Sequence, residues 1–138
     1  MIATVPRRPL AAIAALACAV AFVGCGNDLS TLTGKITVGG KAPPPDARGR
    51  ITFQPVGSGP TAMGQIKSDG TYIAQTGSTA GIPPGKYLVN VYGTIGVPAM
   101  GGKSKMWVPE KYMKYETSGL EYEVKPGANV QDFDLDKK

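Results

Sequence analysis

Histidine is absent from the 138 residues, and the two cysteines, Cys18 and Cys25, both lie near the start. Those two facts remove most of the common catalytic repertoire. Ser–His–Asp and Cys–His nucleophilic sites need an imidazole base. Ordinary zinc sites need His or Cys in numbers that the chain after Cys25 lacks. A Ser–Lys pair spaced S-x-x-K does not occur either. With no cysteine after residue 25, that part of the chain has no internal disulfide. Runs of one charge are missing too. The formal net charge is +5, from 15 basic and 10 acidic residues, and the lysines are scattered. A nucleic-acid partner calls for clustered basic residues, so the sequence argues against one. No apolar run reaches the roughly 20 residues that span a bilayer as a helix.

What is present begins with the N-terminus. Arg7-Arg8 precede an apolar run, Leu10 to Val23 (LAAIAALACAVAFV), which ends at Gly24-Cys25 and turns abruptly polar (GNDLST). A charged start, a short apolar core and a small residue at the boundary read as an export signal. The small residue directly before cysteine resembles the bacterial lipobox, with Phe22 where leucine is usual. The resemblance implies a signal peptide over 1–24 and Cys25 as the first residue of the mature chain, its thiol carrying diacylglycerol and its amine a fatty acyl chain such as palmitate. The alternatives are lipidation at Cys18, after Ala15-Leu16-Ala17, and an ordinary signal peptide or an uncleaved anchor. Lipidation implies an extracytoplasmic protein anchored to the cell membrane or outer membrane. Without Arg7 and Arg8, 13 basic residues face 10 acidic ones.

Residues 25–31 read as the lipidated cysteine and a short tether, and 32–138 as one domain, in keeping with its length. The chain holds 19 glycines and 12 prolines, interleaved with short β-branched and aromatic runs, which suits many turns between short strands. Strands are expected over 32–38, 50–54, 62–67, 71–75, 86–92, 121–125 and 130–135, with a short edge strand at 106–108. Asp69-Gly70 marks a hairpin between the third and fourth. Pro-rich 42–46 cannot be a central strand, and GIPPG at 81–85 is a rigid turn. No long helix is expected. The spacing predicts an all-β sandwich of about seven strands.

Three segments, GQIKSDGTYIAQT (64–76), GIPPGKYLVNVYG (81–93) and SGLEYEVKPGANVQDFDL (118–135), together resemble the carboxypeptidase regulatory-like domain, a transthyretin-like (prealbumin-like) Greek-key sandwich. TGKITVGGKAPPPDARGRITFQP at 33–55 resembles its opening, and the whole chain resembles short lipoproteins of planctomycete-type bacteria. The resemblance implies a non-enzymatic accessory, adhesive or structural module with no cofactor and no metal. Enzymes of related fold, the hydroxyisourate hydrolases and intradiol dioxygenases, rely on histidines that this chain lacks.

Two clusters invite a functional reading. Trp107, Tyr112 and Tyr115 are candidate binding residues: exposed, they would stack on a sugar or seat a peptide; buried, they would plug one end of the sandwich. The glycine-rich loop 93–105 is either a binding loop or a spacer. Asp132, Asp134 and Asp136 alternate along the last strand. They are either a calcium ledge or a solvent face opposite Phe133 and Leu135, and the solvent face is the reading adopted, as it is for Glu121 and Glu123 opposite Tyr122 and Val124. The function expected is a membrane-tethered structural or protein-interaction module of the cell envelope. The alternative is a carbohydrate- or peptide-binding module using 93–115. The partner would be an envelope protein or a glycan, and the oligomeric state is left open.

Overall fold

Alternation of buried and exposed residues sets the strands, because successive side chains leave a strand on opposite faces. The clearest case is Gly85–Ile95, where Tyr87, Val89 and Val91 are buried and Lys86 and Tyr92 are exposed. A computed structural model describes residues 29–96 and 100–137; residues 1–24, expected to be a signal peptide, and Cys25 lie outside the described residues. In chain order the strands are β1 (Thr31–Val38), β2 (Ala47–Pro55), β3 (Ala62–Ile66), β4 (Thr71–Ile73), β5 (Gln75–Thr76), β6 (Thr79–Ala80), β7 (Gly85–Ile95), β8 (Lys105–Met106), β9 (Leu120–Val124), β10 (Ala128–Val130) and β11 (Phe133–Leu135). Between β8 and β9 lie a 3-10 turn, Glu110–Met113, and a single α-helical turn, α1 (Tyr115–Ser118).

The strands form an all-β sandwich of two sheets. β1 is the middle of the smaller sheet. Its even residues bond toward β4: the Ala74 amide donates to the Leu32 carbonyl and the Ile36 amide to that of Gly70, at 2.9 and 2.8 Å. Its odd residues bond toward the C-terminal strands, with Thr31 donating to Gly127 and Gln131 to Thr33. β4 is antiparallel to β1, whereas β10 and β11 run parallel to it. The larger sheet has the order β6-β5-β3-β2-β7. The far edge of β7 is taken at one end by β9 and at the other by β8.

Leu32 and Ile36 from one sheet meet Ile51, Phe53, Val89 and Val91 from the other, all fully buried. Phe53 packs between two tyrosines, 6.0 Å from Tyr72 and 6.4 Å edge-on to Tyr87, an arrangement that aromatic quadrupoles favour. Both phenols find acceptors: Tyr72 donates to Gln131 O at 2.6 Å and Tyr87 to Pro83 O at 2.7 Å. Burial pushes the pKa of both upward. Among the described residues no buried side-chain polar atom lacks a partner, the condition a well-formed interior must meet.

The structure refines several expected strands. The Lys67–Gly70 turn forms as anticipated, closed by Gly70 N to Lys67 O at 2.8 Å and by Asp69 Oδ1, which accepts from the Thr71 amide and hydroxyl. Its two arms then separate. β4 crosses to β1 while β5 returns to β3. Gly64 permits this, since a Cβ there would lie 3.0 Å from Ile73 O. The strand expected over 130–135 is two strands, and the edge strand lies at 105–106 instead of 106–108. β7 is longer than expected and absorbs residues 93–95 of the supposed loop.

The connections fix two ends of the sandwich. Ser30, Ile82 and Gly127 cluster where β1 begins. Where β1 finishes lie Gly39-Gly40, the 67–70 turn and the end of β7 from Gly93, because β3 runs from Ile66 into that turn and Gly49 is paired to both Ile66 and Gly93.

Candidate functional site

The segment from β8 to β9 folds as a flap around the middle stretch of β7, which no strand among the described residues covers on that edge. It satisfies that edge with its own polar groups. Trp107 N donates to Gly93 O, Asn90 Nδ2 donates to Met113 O at 3.0 Å, and the buried Ser118 hydroxyl donates to Val89 O at 2.6 Å. Ser118 Oγ also accepts from Leu120 N at 3.2 Å, which turns the chain into β9. Gly119 makes the turn possible with φ of 65°, a conformation that other residues resist.

The three candidate aromatics are placed apart. Trp107 is 9% exposed and lies between the sheets at the far end from the start of β1. Its bed is a glycine pair, Gly49 and Gly93, which face each other across β2 and β7. A Cβ on Gly49 would lie 2.9 Å from Trp107 Cζ2, and one on Gly93 would overlap the indole Cε2 and Nε1. The indole N–H donates to Arg48 O at 3.1 Å. Tyr112 is 5% exposed, and its hydroxyl accepts from the Asp136 amide at 2.9 Å. Only Tyr115 turns outward, half-buried beside Arg50 and Thr52 on the outer face of β2, with burial pushing its pKa up. The structure therefore brings no two of the three onto one exposed platform. Ligand stacking on Trp107 or Tyr112 requires the flap to open.

The aspartates of the last strand point to solvent opposite Phe133 and Leu135, as the period-two reading holds. Each is also tied to another element. Asp132 Oδ1 accepts from Lys35 N at 2.9 Å, Asp134 Oδ1 from Thr37 Oγ1 and Gly40 N at 2.8 Å each, and Asp136 pairs with Lys111 at 3.3 Å. These contacts staple the C-terminal strands to β1 and to the flap. Among the described residues no group of three potential metal-ligating side chains comes together.

The Gly40 amide, followed by the Thr37 hydroxyl, holds the Asp134 carboxyl below its ordinary value of 3.8. A depressed folded pKa contributes stability that is present above the unfolded pKa and is lost as pH falls through the folded one. Asp134→Ala is therefore expected to lower Tm at pH 7 and to lose less than wild type on acidification to pH near 3. Thermal scans at both values check this, and equal acid losses would contradict it.

Two features were hidden from sequence reasoning. The glycines at 49 and 93 give no sign in the sequence that they are opposite one another. Ser118 and Asn90 look like ordinary surface polar residues until the flap closes on β7. Cys25 lies outside the described residues, as do 97–99 of the glycine-rich loop. No protein-family model, curated protein or solved structure matches the chain.

Proposed function

We propose that the chain is a membrane-tethered envelope lipoprotein, anchored through Cys25, whose sandwich serves as a non-enzymatic structural or protein-interaction module, and that it is related to the carboxypeptidase regulatory-like domains. The observation that carries the reading is how soon the fold begins after the lipobox-like sequence. Leu29 already packs on Gly81, where an added Cβ would lie 2.7 Å from the Leu29 Cβ, and Ser30 already pairs with Ile82. Three residues, and so four chain steps, separate Cys25 from Leu29 and reach about 14 Å at full extension. A lipid on Cys25 would thus hold the start of β1 close to the bilayer, with the 67–70 turn and the Trp107 end directed away. Two or three acyl chains together give stable anchoring, where one gives only marginal binding.

Detergent phase partitioning tests the reading. The chain expressed in a bacterial host is expected in the detergent phase, and Cys25→Ser in the aqueous phase. Equal partitioning of the two would contradict the anchor.

A further inference from the structure

The flap covers part of the outer face of the larger sheet, around Asn90 and Thr52, and the strand register places a distinct set of residues on the part beside it. Arg48 and Arg50 leave β2 on the same side, two residues apart and both exposed. Arg50 is opposite Gln65 on β3 and opposite Tyr92 on β7, and Arg48 is opposite Thr94, which in turn faces Met106 of β8. Tyr92 is 46% exposed, and Tyr115 lies beside Arg50 from the flap. Among the described residues the one ion pair is Lys111–Asp136, so neither arginine has a carboxylate partner. The carboxylates that paired strands put on this face, Glu121 and Glu123, are opposite Leu88 and Lys86. Those positions are about 13 Å or more along β7 from Tyr92. Arg48 also lines two open depressions, one of about 400 Å³ with Pro45, Asp46 and Gly96, the other of about 270 Å³ with Gln65 and Ile66.

We propose that this half of the outer face binds an anionic polysaccharide, with Arg48 and Arg50 receiving its carboxylates and Tyr92 stacking on a sugar ring. Guanidinium groups present planar donor forks that match carboxylate geometry. An aromatic face beside them suits the apolar face of a sugar, and Gln65, Thr94 and Asp46 supply hydrogen-bonding groups for hydroxyls. Two arginines bounded by glutamates make a short site, unlike the long basic stripe that a nucleic-acid strand needs. Anionic headgroups are the other source of negative charge. The choice of polysaccharide over headgroups rests on the proposed anchor, which puts the bilayer at the opposite end of the sandwich.

The full chain in detergent micelles would be run through gels containing polygalacturonate, or the same polymer fully methyl-esterified; freed of detergent, it would be mixed with phosphatidylglycerol vesicles, phosphatidylcholine vesicles or a single-stranded oligonucleotide. Retardation by polygalacturonate alone is expected. Arg48→Ser/Arg50→Ser should weaken it about tenfold or more and Tyr92→Leu about threefold, both without change in Tm, while Lys86→Ser leaves it unaltered. The proposal is overturned by no retardation, by equal retardation in the esterified gel, by insensitivity to the arginine pair, by tighter binding to phosphatidylglycerol than to phosphatidylcholine vesicles that substitution of the arginine pair abolishes, or by tighter binding to oligonucleotide. Equal binding to the two kinds of vesicle reports the lipid on Cys25 and not the arginines, so the two readings fail separately.

Discussion

Alanine at Gly34 will unfold the domain or leave it barely stable. Gly34 sits at the middle of β1, where Gln131, in the interruption between β10 and β11, closes over it. A Cβ there would overlap the Gln131 carbonyl oxygen and lie 2.7 Å from Gln131 C and 2.8 Å from Tyr72 Cε1. The obstruction is backbone, which cannot swing aside as a long side chain can. That same carbonyl oxygen accepts the Tyr72 hydroxyl, so moving it also strands a buried phenol. Overpacking costs about 1–3 kcal/mol and a buried polar group left unpaired about 1–3 more. The sum, roughly 2–6 kcal/mol, is a large part of the 5–15 kcal/mol typical of a whole domain. A fall in Tm of at least about 10 °C is expected. Gly119→Ala, which meets no atom within 4 Å but has φ of 65°, should cost only about 1–2 kcal/mol. Urea titration of the two variants measures the difference, and a Gly34→Ala protein as stable as wild type would show that β1 and Gln131 are not in this contact.

Trp107→Ala carries the second large effect. It removes the indole from its glycine bed, leaves Arg48 O without its 3.1 Å donor, and opens the end of the core between the sheets. Deleting a buried tryptophan costs about 3–5 kcal/mol. The flap should loosen with it, because Val108 and Tyr112 pack on the same core. The expected signature is a lower urea midpoint together with faster hydrogen exchange at Ser118 and at Leu120, whose amide donates to Ser118 Oγ. Gly93→Ala should reproduce much of the loss from the other side of the contact, since its Cβ would press on the indole and lie 2.7 Å from Val108 Cγ2. Stability unchanged in Trp107→Ala would mean that the indole is a free surface group.

How much of this is legible in the sequence depends on the range of the contact. The strands with long period-two patterns, β1, β2 and β7, are readable because alternation is a local property. The Lys67–Gly70 turn is readable for the same reason, since Asp69 bonds its own neighbour Thr71. The path of the chain beyond that turn is not readable. Whether β4 stays with β3 or crosses to β1 depends on Gly64, on Leu32 and on the other sheet. The break between β10 and β11 is similarly non-local: Asp132 puts a side-chain oxygen where the ladder to Lys35 would use a backbone carbonyl. The aromatic flap was legible as a cluster, but its burial was not, because it depends on two glycines that meet only once β2 and β7 pair. The arginine and tyrosine set on the outer face needs the same register before its members become neighbours.

The anchor at Cys25 is the claim on which location and role depend. The most direct measurement is the intact mass of the protein extracted from bacterial membranes, beside a Cys25→Ser control. The account predicts a chain beginning at Cys25 that carries diacylglycerol, with no such species in the control. An unmodified chain, or one beginning elsewhere, would contradict it.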